Sequence, residues 1–570
     1  MRKFSIYILF AFCMVQLVQS CYVDTGNYDY TTSDLEAITI SDEMEYNPIS
    51  SIKAPFIFKV GEEVIIPLKY TINDQMLTKE SIGIEWYFGD EMVSTSETLN
   101  LGYQPLGSYT GVVILTDLRY GTKYQSKYVF DVESTYTQGW AALSENSGAT
   151  MLSYLEIDPT TGEYTFMDDV YAKSNEGERL SADVSGMSYH MYGTSPYTFG
   201  LSIIQNDEVG PIELNPNSMN IMGNVRERFI TTPSGVKFVD VAYMSNAVYV
   251  LTADKKIYAR EESVYSGSIV PHASYFPAAP VVVEGGSAVS KWINMCRVSQ
   301  SSLLAWRGIV AFDELNSRTL YINDMKVTPF SDMFYANNPE PNYGGPGTDG
   351  VNTYDDITFP CPEDLSGYNV IGMYAVGYDA DIIAELIYGI IPTASIVMLL
   401  ENKTDNKLYF FTYRFTDYYG MLDVDLDLFF PVPEDIKIDK ENFIGLDHLG
   451  GPDHLFYFVA NEGKDLYYLD AIYGTCKKVY SSASEITAIG LGEIQNSDAA
   501  MEEFFGGDPS AFYTPYYQKF LVASKGGNIT VLQMDRSARA SGNAPVLTTL
   551  SPGVGDFKSF TYMTNSSLSY

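Results

Sequence analysis

The stretch "HLFYFVANEGKDLYYLDAIYG", residues 454–474, decides the fold of most of the chain. An apolar, aromatic run leads into Asn-Glu-Gly, and a second run rich in Leu and Tyr follows the turn. Two runs of strand-forming residues separated by a short Gly-bearing turn are typical of a β-hairpin. The stretch therefore predicts two adjacent antiparallel strands.

Six further stretches repeat this pattern. They are residues 141–158, 199–215, 247–261, 307–324, 396–415 and 519–535. The hairpins recur roughly every 45 to 90 residues, and the widest gap holds an insertion. One hairpin per four-stranded blade predicts a β-propeller over residues 136–570, with seven blades as the expected number. A large irregular sandwich is the alternative.

Residues 35–134 have a different pattern of short strands. "FIFKVGEEVIIPLKYTI" alternates around a Gly-Glu turn, and Trp86 lies in the middle of the next strand. About 100 residues with several short strands and a central tryptophan fit an immunoglobulin-like sandwich. The predicted fold class is therefore all-β, with an N-terminal sandwich followed by the propeller.

The N-terminus has the features of an export signal. Arg2 and Lys3 precede the apolar run Ile6–Leu17, and Ser20 precedes Cys21. The run fits the core of a secretory signal and is shorter than the roughly 20 residues of a membrane-spanning helix. The segment resembles a bacterial lipoprotein signal, which implies a signal peptide over 1–20, a lipidated Cys21 and a flexible tether over 21–34. An ordinary secretory signal with an incidental cysteine is the alternative.

A family resemblance comes from two motifs. "WYFGD" (86–90) followed by "LGSYTGVVILTD" (106–117) resembles the PKD domain. With "CYVDTGNYDY" (21–30) before it, the chain is similar to the PKD-like lipoproteins found beside Sus-type (SusC/SusD-like) importers. These importers pair a TonB-dependent barrel with a surface lipoprotein lid.

This resemblance implies a location and a role. The protein is expected in the outer membrane of a Gram-negative bacterium, lipid-anchored and facing the exterior. Its expected partners are a SusC/SusD-like importer and neighbouring surface lipoproteins. The expected function is that of a non-catalytic accessory or ligand-capturing subunit.

Composition limits the other partners and cofactors. The formal net charge of -37 opposes nucleic-acid binding, which needs clustered Lys and Arg. Beyond Cys13 and Cys21, only Cys296, Cys361 and Cys476 remain, and no CxxC pair indicates zinc or redox chemistry. These three cysteines allow at most one disulfide, and three buried thiols are the alternative.

Three stretches dense in Tyr and Pro are candidate binding loops on the propeller faces: 187–199, 333–369 and 504–520. Exposed tyrosines offer an apolar ring and a hydroxyl, which suit an oligopeptide or a glycan. The candidate ligand contacts are Tyr192, Tyr197, Tyr335, Tyr343, Tyr354, Tyr513, Tyr516 and Tyr517. Alternatively, these rings pack their own loops or an interface with partner lipoproteins.

Two further motifs carry no predicted cofactor or metal. Gly345, Gly347 and Gly350 spell GxGxxG, but they lie in a Pro-rich stretch without the strand and helix of a dinucleotide site. The alternating acids of "DVDLDL" (423–428) share one face of a strand, which suits calcium. We expect a solvated strand face there instead.

No catalytic residue is predicted. The chain has four histidines, and no GxSxG, HExxH or stretch that joins a histidine to a Ser or Cys nucleophile. The acidic pairs Asp355–Asp356 and Glu502–Glu503 fit the two-carboxylate requirement of a glycosidase. The alternative function is thus a surface enzyme that degrades glycans or peptides on the propeller face. A structural or adhesive protein is the third possibility.

The apolar stretch 382–400 is the second candidate for a membrane segment. Glu385 lies inside it, and Gly389 and Pro392 interrupt any helix. We therefore expect a short buried helix, a turn and a core strand over Ser395–Leu400.

Overall fold

The computed structural model divides into two compact units, Met1–Glu133 and Ser134–Tyr570. It describes residues 37–41, 56–60, 62–105, 107–136, 138–158, 161–192, 198–243, 247–261, 275–294, 308–323, 326–329, 360–379, 393–418, 421–447, 454–493 and 518–564.

The first unit is a β-sandwich. Its strands are β1 (Ile38–Ile40), β2 (Phe56–Lys59), β3 (Glu63–Pro67), β4 (Tyr70–Ile72), β5 (Ile82–Phe88), β6 (Glu91–Ser94), β7 (Thr98–Tyr103), β8 (Gly107–Asp117) and β9 (Thr122–Glu133), with a 3-10 turn at Lys79–Ser81. One sheet has the order β2-β9-β8-β5-β6, and the pairs β3-β7 and β1-β4 lie apart from it. Only β2 and β9 pair in parallel among these described strands.

Trp86 lies at the centre of the sandwich core. Its ring is fully buried and packs edge-on against Tyr128, with ring centroids 5.3 Å apart. Its Nε1 donates to the carbonyl oxygen of Ser96 at 2.8 Å, which satisfies the one polar atom that the ring buries. The sequence motif around Trp86 therefore predicts the core residue correctly.

The chain enters and leaves the sandwich at opposite ends. It enters at Ala37, whose carbonyl oxygen accepts from the backbone N–H of Asn73 at 2.9 Å. It leaves at Glu133, which accepts from the N–H of Val60 at the other end of β9. We call these the entry end and the far end.

The second unit contains 27 strands in the described residues. They are β10 (Gln138–Asn146), β11 (Ala149–Ile157), β12 (Tyr164–Met167), β13 (Val184–Tyr192), β14 (Thr198–Gln205), β15 (Ile212–Leu214), β16 (Ile221–Asn224), β17 (Phe238–Tyr243), β18 (Ala247–Thr252), β19 (Ile257–Glu261), β20 (Val289–Asn294), β21 (Ile309–Asp313), β22 (Arg318–Asn323), β23 (Lys326–Pro329), β24 (Tyr368–Asp379), β25 (Thr393–Asn402), β26 (Leu408–Tyr418), β27 (Met421–Pro431), β28 (Gly445–Leu446), β29 (Leu455–Ala460), β30 (Asp465–Asp470), β31 (Cys476–Ser481), β32 (Ile486–Glu493), β33 (Gln518–Ser524), β34 (Asn528–Gln533), β35 (Val546–Leu550) and β36 (Asp556–Thr564). Two short helices, α1 (Val170–Ser174) and α2 (Arg536–Ser541), and a 3-10 turn at Arg226–Arg228 complete the regular structure described.

These strands form seven antiparallel sheets within the described residues. From the inside outward, blade 1 is β36-β10-β11-β12, blade 2 is β13 to β16, blade 3 is β17 to β19, blade 4 is β20 to β23, blade 5 is β24 to β27, blade 6 is β28 to β31 and blade 7 is β32 to β35. Each hairpin predicted from the sequence contributes the second and third strands of one sheet.

The sheets form a closed ring. Seven hydrophobic clusters join blades 1 and 2, 2 and 3, 3 and 4, 4 and 5, 5 and 6, 6 and 7, and 7 and 1. The ring closes because β36, the last strand, pairs with β10, the first strand of the unit. This arrangement is a β-propeller, so the predicted fold class is confirmed.

The blades bury both faces of their second strands. All residues of β29, Leu455–Ala460, are buried, because a neighbouring blade covers each face. The turn after β29 has positive φ at Asn461, Glu462 and Gly463. Glycine and asparagine adopt this conformation more readily than glutamate does. Continuous apolar runs therefore mark blade strands better than alternation does.

The structure corrects one predicted loop and confirms one predicted strand. Residues 187–199 were expected to form a loop, but β13 continues to Tyr192 and β14 begins at Thr198. Ser395–Leu400 was expected to be a core strand, and it lies inside β25. Within the described residues, none of the helices has the length and apolar character needed to cross a membrane.

Candidate functional site

The inner strands of neighbouring blades run in the same direction. His190 near the end of β13 stacks on Tyr243 at the end of β17. Likewise, a Cβ placed on Gly492 near the end of β32 would contact Tyr562 near the end of β36. The first strands of the blades therefore end on one face of the disc, which we call the exit face.

Cys21 and the predicted tyrosines lie largely outside the described residues. Tyr192 ends β13 at the exit face, where only its backbone is described. The other seven tyrosines lie in segments that the structure does not describe: Tyr197, Tyr335, Tyr343, Tyr354, Tyr513, Tyr516 and Tyr517. Their role in ligand contact stays a prediction.

The flanking strands nevertheless divide these segments between the two faces. Segments 193–197 and 494–517 each join the first strand of a blade to its second, so their described neighbours lie at the exit face. Segment 330–359 joins the fourth strand of blade 4 to the first strand of blade 5. Its described neighbours lie at the opposite face.

The acidic strand β27 supports no calcium site in its described part. Asp427 makes an ion pair with Arg414, whose Nε lies 3.0 Å from both carboxylate oxygens. The side chains of Asp423 and Asp425 are outside the described residues, as are the GxGxxG stretch and the pairs Asp355–Asp356 and Glu502–Glu503. Among the described residues, no group of His, Cys, Asp and Glu side chains could hold a metal ion.

A polar cluster lies between blades 2 and 3, just below the exit face. We call it the His190 cluster, and it consists of His190, Ser202, Glu213, Tyr243 and Arg260. The imidazole of His190 stacks on the ring of Tyr243 with centroids 3.6 Å apart. The Tyr243 hydroxyl donates to Glu213 Oε1 and accepts from Ser202 Oγ at 3.3 Å. All five residues are buried.

Burial sets the protonation of this cluster. It lowers the pKa of His190 from the ordinary 6.5 to about 3, so the ring is neutral near pH 7. Nδ1 lies 3.3 Å from the carbonyl oxygen of Ser188 and carries the proton that it donates there. Burial, and then the charge of Glu213, raises the pKa of Tyr243, so the phenol also stays protonated.

The cluster contains two charged residues of opposite sign, Glu213 and Arg260. The charge of Glu213 raises the pKa of the Tyr243 hydroxyl, and the charge of Arg260 lowers it. The Arg260 guanidinium also lies over the Phe276 ring, 5.5 Å from its centroid. The cluster thus fixes the ends of β13 and β17, from which the exit-face segments 193–197 and 244–246 depart.

A second buried pair joins blades 5 and 6. Ser395 Oγ lies 2.6 Å from His454 Nδ1. No sequence motif indicates this Ser–His contact, because the two residues lie on different blades. Both side chains are buried, and a serine nucleophile must reach its substrate. The pair therefore works as a link between blades, supported by the bond from Thr412 Oγ1 to the Ala471 carbonyl oxygen at 2.7 Å.

Two of the three cysteines expected in the propeller lie in the described part. Cys361 and Cys476 are both free thiols. Burial raises the pKa of Cys476 to about 12, which makes its thiol unreactive near neutral pH. Cys296 lies outside the described residues.

The N-terminal part of the chain is similar to a known family. Residues 21–183 match the PKD-like family model. No curated protein matches the chain. The family match confirms the PKD resemblance that the motifs around Trp86 indicated.

Several solved structures resemble the chain at low similarity. A quinonprotein alcohol dehydrogenase-like protein from Bacteroides thetaiotaomicron is 10% identical, with 89% of this chain and 96% of that chain covered and a TM-score of 0.34. Prp20p from Saccharomyces cerevisiae is 11% identical, with 76% and 88% covered and a TM-score of 0.31. The Dos1 propeller is 9% identical, with 81% of each chain covered and a TM-score of 0.30.

Proposed function

We propose that this protein is a cell-surface lipoprotein that serves a Sus-type importer as a non-catalytic accessory or ligand-capturing subunit. The observation that carries the proposal is the order of its N-terminal parts. The PKD-like match begins at Cys21, the residue that a lipoprotein signal would make the first of the mature chain. Tether and sandwich follow in the order that the resemblance implies.

The geometry of the sandwich supports a spacer role. The chain enters at Ala37 and leaves at Glu133, at the opposite end. A domain whose two connections lie at opposite ends adds its own length between an anchor and whatever follows. The sandwich therefore holds the point of departure of the propeller away from the anchor.

The exit face is the proposed surface for ligand capture. Five of the eight candidate tyrosines lie at strand ends or in segments whose described neighbours lie at this face: Tyr192, Tyr197, Tyr513, Tyr516 and Tyr517. The His190 cluster fixes two of the strand ends there. The ligand is an oligopeptide or a glycan fragment that stacks on tyrosine rings.

The test is a pull-down of the tagged native protein from mildly solubilised outer membrane, with mass spectrometry of the proteins recovered. We expect a TonB-dependent barrel and its lipoprotein lid. A Cys21→Ala variant is the control, which should leave the membrane fraction and recover neither. If the native protein is obtained at high yield and neither partner is recovered with it, the accessory role is overturned. Hydrolysis assays would then test the alternative function.

A further inference from the structure

Three large apolar side chains protrude at the entry end of the sandwich. Met76 is 82% exposed, Leu118 is 61% exposed and Tyr120 is 77% exposed. Met76 belongs to the segment after β4, and the other two belong to the turn between β8 and β9. We call these three residues the entry-end tip.

One arginine fixes the two segments of the tip to each other. Arg119 Nη2 lies 2.7 Å from Asp74 Oδ2 and 2.8 Å from Asp117 Oδ2. Its guanidinium also lies over the Tyr120 ring, 5.1 Å from the centroid. Asp74 in turn accepts from the N–H of Met76 at 2.8 Å. The three apolar side chains are therefore held by a common bonded framework.

This framework carries no excess positive charge. Hydrogen bonds from Arg119 contribute to lowering the pKa of both Asp74 and Asp117, and for Asp117 they are the largest cause. Both carboxylates stay ionised, so the framework of Arg119, Asp74 and Asp117 carries one net negative charge. The tip thus offers apolar side chains without a cationic patch, which fits an uncharged, zwitterionic lipid surface better than an anionic one.

The chain before the sandwich departs from the same end. Ala37 contacts Asn73, which lies three residues before Met76. Cys21 precedes Ala37 by a tether that reaches at most about 55 Å when fully extended. An anchored Cys21 therefore joins the sandwich to the membrane at the entry end.

The far end has a different surface. It also exposes apolar side chains, including Tyr103 at 69%. Exposed acids accompany them there, namely Glu62, Asp90 and Glu91. Burying these carboxylates in a lipid interface is unfavourable, and the entry end is less acidic: Glu80 is the exposed acid there, next to Ser81, whose carbonyl oxygen accepts from the N–H of Leu118.

We propose that the entry-end tip inserts into the interface of the bilayer that holds the lipid anchor. Met76 and Leu118 enter the boundary between headgroups and acyl chains, and the Tyr120 hydroxyl stays at headgroup level. The partner is a lipid surface, and the inference rests on the anchor at Cys21 in the proposed function. The tip would fix the orientation of the sandwich, which a flexible tether alone leaves free.

The test uses two matched variants, Tyr120→Trp at the entry end and Tyr103→Trp at the far end. In each, a histidine tag replaces residues 1–21 and holds the remaining chain on phosphatidylcholine vesicles that contain a nickel-chelating lipid. Brominated phosphatidylcholine quenches tryptophan only on contact with the acyl region. The emission of the parent chain, which has four tryptophans, is subtracted.

We expect bromination to reduce the added emission of Tyr120→Trp by roughly half and that of Tyr103→Trp hardly at all, because only the tip enters the interface. Adding Met76→Ser and Leu118→Ser to Tyr120→Trp should abolish the quenching, and raising the salt concentration should not. Equal quenching of both variants, or none at the entry end, would overturn the proposal.

The result is separable from the proposed function, because the tagged chain does not need acylation. Mass spectrometry of the N-terminal peptide of the native protein reports acylation of Cys21 independently. Absence of quenching with an acylated Cys21 overturns the tip alone. Quenching with an unmodified Cys21 overturns the anchor and supports the tip as a lipid-binding surface.

Discussion

The sandwich and the propeller bury their strands in different ways. In β3 of the sandwich, burial alternates, so that Ile65 is 44% exposed beside a fully buried Ile66. In β25 of the propeller, Leu399 and Leu400 are both buried, and they belong to different clusters. A sandwich strand has one core to fill, whereas a blade strand fills two.

This difference shows why the two units place polar groups differently. The alternating strands of the sandwich can expose one face to water, so their polar side chains need no internal partner. The blades have no such face on their second strands. Two polar side chains there, Ser202 of β14 and Ser395 of β25, bond to a side chain of the next blade.

The largest expected effect comes from alanine substitutions at adjacent positions. Ile66→Ala should reduce the free energy of unfolding by about 2–5 kcal/mol and Ile65→Ala by less than about 1 kcal/mol, because only one side chain leaves a cavity. Leu399→Ala and Leu400→Ala should each lower it by about 2–5 kcal/mol. Amide exchange measured segment by segment gives each value. A loss below about 1 kcal/mol for either leucine would contradict burial on both faces.

The next effect is a loss of stability at low pH, which we expect in the propeller because that unit contains His190. The folded pKa of His190 is about 3, below its ordinary 6.5, so the unfolded chain takes up the proton first. The stability that His190 contributes is complete above pH 6.5 and is lost as the pH falls toward 3. At pH 5 the loss should be about 2 kcal/mol, from about 1.36 kcal/mol per pH unit.

The matched variant is His190→Gln, which removes this titration from blade 2. Amide exchange at pH 7.5 and pH 5 should show a smaller loss of stability in the variant than in the native protein. Residues 35–134 contain no histidine and serve as the internal control. The same loss in blade 2 with and without His190 would show that other groups cause it.

A smaller effect is expected at the link between blades 5 and 6. Ser395→Ala removes the hydrogen bond to His454 and should lower the stability of these blades by about 1–2 kcal/mol. Ser126→Ala in the sandwich, where the side chain is partly buried and its hydroxyl bonds only the neighbouring Lys127 carbonyl oxygen, should change stability by less than about 0.5 kcal/mol. Amide exchange rates in β25 and β29 report the effect of Ser395→Ala. Rates in β8 and β9 report the effect of Ser126→Ala. Equal losses of stability in the two variants would show that the Ser395–His454 bond does not stabilise the contact between blades 5 and 6.

The smallest effect compares the buried tryptophans of the two units. Trp86→Phe loses both ring volume and the bond to Ser96, whereas Trp140 Nε1 has no hydrogen-bond partner among the described residues. Trp86→Phe should therefore cost about 1 kcal/mol more than Trp140→Phe. Exchange in β5 and β10 gives the two values. A larger cost at Trp140 would indicate that ring volume outweighs the hydrogen bond.

Local pattern made much of the fold predictable. Seven hairpins follow from apolar runs and turns because both strands of a hairpin are neighbours in sequence. Trp86 follows from its motif for the same reason. The strand over 187–192 was missed, because its serine, histidine and tyrosines suggest a loop. In the fold, Ser188 and His190 pair with Ser202 and Gly200 and become a blade edge.

The candidate site was less predictable, because its contacts cross between blades. His190 meets Tyr243, and Ser395 meets His454, only after separate sheets have packed. No spacing in the sequence reports such a contact. The tyrosines and Cys21 were selected by composition and motif, and their roles stay predictions.

The closure of blade 1 has a consequence for biosynthesis. Gln138 at the start of β10 pairs with Thr564 at the end of β36. Ribosomes deliver β10 long before β36, since chains grow at about 5–20 residues per second. During that interval β10 is an open sheet edge, which invites pairing with other chains. Blade 1 therefore keeps this open edge until β36 pairs with it, and a chain that stops before Asp556 is expected to pair with other chains there.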